Sequence, residues 1–218
     1  MYRQKNRFTY YILFILLITL LAACFKSLTQ TSIVYENTFE KGLPDSIKVS
    51  GYTNGIFGPV SDVRISNYNG TKVLGKLNSS LVQLIVEGIP PHSLLRIEFD
   101  LYIHDKWRND LWKYSIDGAD QLLTGFSNDS TVKQAYPNWL GNGSVPSAAR
   151  RNAINIELPG SCSNINSPNG TSMYRIVNTL AHTGKTVTFN WSDAGNFFND
   201  TCQRSWSLDN LKISTFKN

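Results

Sequence analysis

Three sets of residues in this chain are of types that do chemistry: paired carboxylates, aromatic rings set among asparagines, and cysteines. The carboxylates are Glu98 and Asp100. Two residues apart on an extended segment, they share a face, and same-face neighbours reach the ~5–5.5 Å separation of retaining glycoside hydrolysis. The aromatic set is Trp107, Trp112, Tyr136 and Trp139, in or beside stretches between 105 and 143 rich in Asn and Asp. Exposed indole and phenol rings stack on the C–H faces of sugars, while Asn, Gln and Asp read the hydroxyls. The competing reading is inter-sheet core, the commoner place for tryptophan in a β-sandwich. Trp191 and Trp206 alternate regularly with their neighbours and are assigned to that core. Cys24, Cys162 and Cys202 are the only cysteines. No G-x-S-x-G, H-E-x-x-H or P-loop occurs, and neither does CxxC or HxxH spacing. His92, His104 and His182 are scattered and read as hydrogen-bonded strand or turn residues rather than ligands.

The elements that must position these groups begin after a leader. Arg3, Lys5 and Arg7 precede an apolar run from Tyr11 to Leu21, which ends in Leu21-Ala22-Ala23-Cys24. This resembles the bacterial lipoprotein signal, which implies cleavage after residue 23 and an acyl chain on the Cys24 thiol. An ordinary cleaved signal and an uncleaved anchor are the alternatives; the run falls short of the ~20 residues that span a bilayer. Phe25, rather than aspartate, follows the cysteine, which in a Gram-negative cell points to the outer membrane, on either face. Once Cys24 carries lipid, Cys162 and Cys202 can pair in an oxidising compartment or remain two thiols. Of 218 residues, removal of the first 23 leaves 195, and of the +5 charge the leader takes three, leaving about +2. Arg150-Arg151 is the one basic pair to stand out, so no nucleic-acid partner is expected. Seven N-x-S/T sequons, at Asn69, Asn78, Asn128, Asn142, Asn169, Asn190 and Asn199, would serve a eukaryotic glycoprotein, an origin against which the leader argues.

Residues 24–32 read as lipidated cysteine and tether, and 33–218 as one all-β domain. Leu95, Ile97, Phe99, Leu101 and Ile103 share one strand face, with Arg96, Glu98, Asp100 and Tyr102 on the other. Leu81–Val86 precedes it across a Gly/Pro turn. Trp112–Ile116 and Gln121–Phe126 flank Asp117-Gly118, a hairpin signal. Val187, Phe189 and Trp191 alternate, as do Leu211 and Ile213. Many short, turn-separated strands predict a β-sandwich or jelly roll.

The stretch Glu36 to Gly42, with Phe39-Glu40, is similar to the opening of jelly-roll carbohydrate-binding modules, and Trp206 to Ile213 to their closing strand. Phe99 to Trp107, Thr124 to Asn128 and Gln134 to Pro137 resemble segments of a poorly characterised exported domain of the concanavalin-like, jelly-roll type. This chain has Arg108-Asn109 and Arg204 where that family often carries acidic or glycine positions. The resemblance implies one structural Ca²⁺ between Glu40 and Asp209, with Glu36 and Asn210 as helpers; calcium takes six to eight oxygens at ~2.3–2.6 Å. Glu98-Phe99-Asp100 also begins like the E-x-D-x-x-E strand of jelly-roll glycoside hydrolases, but Tyr102 and Ile103 occupy the places of the second glutamate. The expected function is a membrane-anchored, non-catalytic binding module for glycans or another extracellular ligand. A structural or adhesive envelope lipoprotein and a polysaccharide-active enzyme are the alternatives.

Overall fold

The computed structural model describes residues 30–53, 56–60, 65–140, 145–162, 169–193 and 202–217. Cys24 and the leader lie outside the described residues, as do Asn142 and Asn199. Every regular element described is a strand. In chain order these are β1 (Gln30–Asn37), β2 (Ile47–Thr53), β3 (Ile56–Pro59), β4 (Ile65–Tyr68), β5 (Thr71–Leu77), β6 (Ser80–Glu87) and β7 (Leu94–Asp105). There follow β8 (Arg108–Ile116), β9 (Ala119–Ser127), β10 (Asn155–Leu158), β11 (Thr171–Ala181), β12 (Thr186–Ser192) and β13 (Arg204–Lys217). They build two antiparallel sheets: β10-β11-β7-β13-β5-β4, with β1 also on β13, and β3-β2-β6-β12-β8-β9.

The five apolar positions of β7 explain the sandwich. Leu95, Ile97, Phe99, Leu101 and Ile103 have at most 1% exposure, and one sheet face can be hidden to that degree only by a second sheet packed on it. Val82, Leu84, Val187, Phe189 and Trp191 supply the opposing layer. Phe99 packs edge-on at 5.8 Å from Trp191, and Trp112 lies 6.0 Å from Trp206. Trp191 and Trp206 are wholly buried, as their alternation predicts. The β8–β9 turn has Asp117 and Gly118 at φ 50° and 81°, the left-handed pair that lets a two-residue hairpin follow strand twist.

β1 begins at Gln30, so the last residues of the stretch read as tether are already strand: Gln30 to Ser32 pair with Lys217 to Thr215. The long β13 organises its sheet. One edge carries β7; the other carries β5 opposite Trp206–Leu208 and then β1 opposite Leu211–Lys217. At the exchange the register slips between Asp209 and Lys212, and Asn210 turns left-handed at φ 49°. Gly75 is required beside this strand, because a Cβ there would collide with the Ser207 side chain.

Past β10, a strap of residues 159–162 closes over the outer face of the first sheet. Tyr68 donates its hydroxyl to Pro159 O (2.6 Å) and Lys76 Nζ donates to Ser161 O (2.8 Å). A disulfide between Cys162 and Cys202 ties the strap down, with Cα atoms 4.8 Å apart. The two cysteines that remain beside Cys24 are therefore paired, not separate thiols.

Candidate functional site

Two of the four aromatic side chains read as loop platforms belong to the core. Trp107 and Trp112 both have no exposure. Trp107 sits in the tight turn from β7 to β8, flanked by Asp105 and Asn109 in left-handed backbone (both φ 62°), which turns the indole inward. Its Nε1 donates to Ser205 O at 2.9 Å, and the Arg204 guanidinium lies 5.3 Å above the ring. Trp112 points inward from β8 among Phe99, Tyr114, Phe126 and Trp206. Polar neighbours in sequence made both look like loop residues. Their partners from β13 lie about a hundred positions away, so that signal was invisible locally.

Tyr136 is half-buried, its ring 4.8 Å from Phe126 and 5.1 Å from Tyr174. Burial pushes its hydroxyl pKa up. Trp139, by contrast, is 45% exposed beside exposed Leu140 and Val145. The main chain on either side is fixed: Asn138 N donates to Ala135 O (2.9 Å), Thr124 Oγ1 donates to Asn138 O (2.6 Å), and Leu140 N donates to Leu123 O (2.8 Å). Behind the loop, wholly buried Gln134 acts as a brace. Its Oε1 accepts from Ser127 N, Arg150 N and Tyr174 Oη, and its Nε2 donates to Tyr136 O and Arg151 O. Asn128 does the same one strand away, donating to Ile103 O and Asp105 O. Sequence marked Asn128 as a sequon and both residues as ends of resembling segments, but neither as a brace; a polar residue in a polar stretch carries no mark of being buried. Because the Asn128 amide nitrogen is committed to the core, its sequon is closed to glycosylation. Asn78, whose amide donates to Arg204 O, is closed in the same way.

Glu40 and Asp209 do come together. Thr71 Oγ1 lies 2.7 Å from Glu40 Oε1 and 3.4 Å from Asp209 Oδ2. Lys72 N also donates to Glu40 Oε1 (2.9 Å), and these two bonds hold the Glu40 carboxyl below its ordinary pKa. Asp209 is pushed the other way, up to about 6, first by burial and then by the neighbouring charges of Asp100 and Glu40. No group of three or more His, Cys, Asp or Glu side chains converges to hold a metal among the described residues. Glu40, Asp209 and Thr71 supply side-chain oxygens and excess negative charge suited to a hard cation, with most of its six to eight ligands left to water or main chain.

Asp100, expected on a solvated face, is instead completely buried. Arg175, directly opposite on β11, donates to it through Nε (2.8 Å) and Nη2 (2.9 Å), and Asn210 Nδ2 donates at 2.8 Å. Glu98 remains outward and pairs with Arg96 at 3.0 Å. Glu98 and Asp100 are thus held by separate cations. The histidines are less scattered than their spacing implies. His92 and His182 lie within hydrogen-bond distance (Nε2 to Nδ1, 2.7 Å), and His182 Nε2 is 3.2 Å from Asp117 Oδ2, which joins three loops at one end of the sandwich. His104 is wholly buried between Thr171 Oγ1 (3.0 Å) and Ser207 Oγ (2.8 Å).

No protein-family model and no curated protein matches the chain. Among solved structures it is similar to the K3 cleaved adhesin domain of Lys-gingipain from Porphyromonas gingivalis, at 13% identity and a TM-score of 0.41, over 84% of this chain and 100% of that one. It is also similar to a family 35 carbohydrate binding module from Clostridium thermocellum, at 8% identity and a TM-score of 0.33, over 84% and 97%. Latent PorU from P. gingivalis is matched at 8% identity and a TM-score of 0.34 over 63% of this chain, which spans only 10% of PorU. At these identities and scores the likenesses carry no argument; the all-β, two-sheet sandwich stands on the chain's own strands.

Proposed function

We propose that the chain is a non-catalytic binding module of an exported, acyl-anchored protein, and that it captures glycans on the Trp139 loop. The observation that carries this reading is the contrast among the tryptophans. Four are wholly buried, while Trp139 alone presents its ring to solvent, on a backbone fixed from both sides. A half-exposed indole on a fixed backbone costs no main-chain ordering when a sugar stacks on it, so more of the contact energy reaches affinity. Asn138 flanks the ring, and its Nδ2 donates to Val145 O, which holds the amide beside the platform.

A glycan array followed by calorimetry on the hits tests the reading. Trp139→Ala should weaken binding by about 1–3 kcal/mol, the scale of lost stacking on a ring face, or roughly tenfold to a hundredfold. Folding should survive in that variant. Trp107→Ala should instead lower Tm by roughly 10 °C, since removing a core tryptophan costs about 3–5 kcal/mol and each kcal/mol shifts a domain of this size by about 2–4 °C. Undiminished affinity in Trp139→Ala would overturn the platform; hydrolysis lost on changing Glu98 would favour an enzyme instead. A Ca²⁺ held by Glu40 and Asp209 belongs to the same proposal, as a structural ion that neutralises the charge gathered around Thr71. So does the acyl chain on Cys24, with the outer membrane as address; it rests on the leader sequence.

A further inference from the structure

The exchange of β5 for β1 along β13 opens the outer face of its sheet. The register slip and left-handed Asn210 leave a cleft of about 160 Å³, lined by Glu36, Thr38, Glu98, Arg175, Asn210 and Lys212. Its donors and acceptors are set by the strands. Arg175 is 53% exposed, and two of its N–H groups are fixed on buried Asp100, which Asn210 also holds. A guanidinium carries five N–H donors, so three remain on a plane that cannot rotate. Lys212 lies in register between Glu98 of β7 and Glu36 of β1, yet forms an ion pair with neither within 4.0 Å. A purely structural charge ladder would close Lys212 onto one of them. Here the ammonium, the Glu36 carboxylate and one oxygen of Glu98 are left available at the cleft.

We infer that this cleft is a second saccharide subsite, taking one neutral, polyhydroxylated ring. The inference rests on the binding-module reading and adds to it a site separate from Trp139. Two cations and two carboxylates line the cleft, so its charge balances and a ligand gains nothing by carrying charge. Vicinal hydroxyls both donate and accept, and match rigid N–H donors facing carboxylate acceptors. The volume is about half the lower end of small-molecule pockets, which suits a single ring and not an oligomer lying lengthwise. An anionic ring would lose to Glu36 and Glu98 what it gains from Arg175 and Lys212, so uronic acids should bind no more tightly than neutral sugars.

The test is a ¹H–¹⁵N NMR titration of the intact mature chain with methyl β-D-glucoside, methyl α-D-mannoside and methyl β-D-galactoside, and with D-glucuronate as the charged comparison. At least one neutral glycoside should shift the Asn210 and Arg175 side-chain signals in the millimolar range. Lys212→Met and Glu36→Gln, both surface changes, should weaken that response at least fivefold with Tm unchanged, and Trp139→Ala should leave it intact. Shifts at Trp139 alone would overturn the cleft and keep the platform. No shift at either place would overturn both readings. Tighter binding of glucuronate at Asn210 would overturn the charge-balance argument and the neutral ligand with it.

Discussion

Acid should separate the contribution of one buried histidine from the rest of the protein. His104 faces outward from β7 but lies under the disulfide-tied strap, against the rings of Tyr68 (4.7 Å) and Tyr102 (6.0 Å). Burial, with a smaller effect from Lys76, lowers its pKa from 6.5 to about 3. The unfolded chain therefore takes up a proton at this position as pH falls below about 6.5, and the native chain does not until about 3. Acidification through that window favours the unfolded state. At about pH 4.5, two units below the unfolded value, the loss is on the order of 3 kcal/mol. Asp209 acts in the opposite sense. Its native pKa is raised to about 6 from 3.8, so the native state binds that proton first, and acidification between those values relieves the cost of a desolvated charge. The wild-type pH profile alone thus mixes effects of opposite sign. His104→Gln isolates one, because an amide can bond both the Thr171 and Ser207 hydroxyls without titrating. Urea unfolding of both proteins at about pH 7.5 and 4.5 should show the wild type losing on the order of 3 kcal/mol more than the variant. Equal losses, within about 0.5 kcal/mol, would refute the burial argument for His104.

Three further outcomes follow from the same geometry. The Cys162–Cys202 bridge closes a loop of 40 residues, for which chain entropy gives about 4 kcal/mol; replacing both cysteines by alanine should lower Tm by roughly 8–16 °C, and an unchanged melt would contradict this. If Glu40 and Asp209 hold calcium, adding it at neutral pH should raise Tm, with the effect lost in Asp209→Asn and weakened below about pH 6 as Asp209 protonates; a melt indifferent to calcium would exclude the ion. Labelled palmitate should enter the wild-type chain in a bacterial host and not Cys24→Ser, and equal labelling would remove the anchor.

What the sequence revealed and what it concealed divide along the distance over which each fact is decided. Strand β7 was legible because period-two alternation depends only on neighbours, and the β8–β9 hairpin because Asp117-Gly118 is a local conformational demand. The meeting of Glu40 and Asp209 was accessible only through resemblance, since Thr71 bridges residues 169 positions apart. Burial on the outer face of the first sheet was concealed altogether. Asp100 and His104 occupy the polar side of the alternation, and a sandwich normally leaves that side to water. Here the strap and the Arg175–Asp100–Asn210 network cover it, and both depend on segments far along the chain.

Aromatic composition grouped Trp107, which is wholly buried, with Trp139, which is 45% exposed. Both stand among polar residues, and composition cannot separate them. What does is the fate of the polar groups around each ring. At Trp107 the indole N–H, the turn carbonyl and the overlying Arg204 are all committed inside the protein: Nε1 to Ser205, and Trp107 O to Asn128 N at 2.9 Å. A ring whose polar edge is bonded inward has a reason to be buried. At Trp139 the neighbouring main chain and the Asn138 amide are committed, and among the described residues the ring has no such partner. A singly exposed apolar side chain is ordinary on a protein surface, but Trp139, Leu140 and Val145 are exposed together, and covering such a group removes apolar area from water. A stacking ligand would cover that area, and this argument is independent of any likeness to known modules.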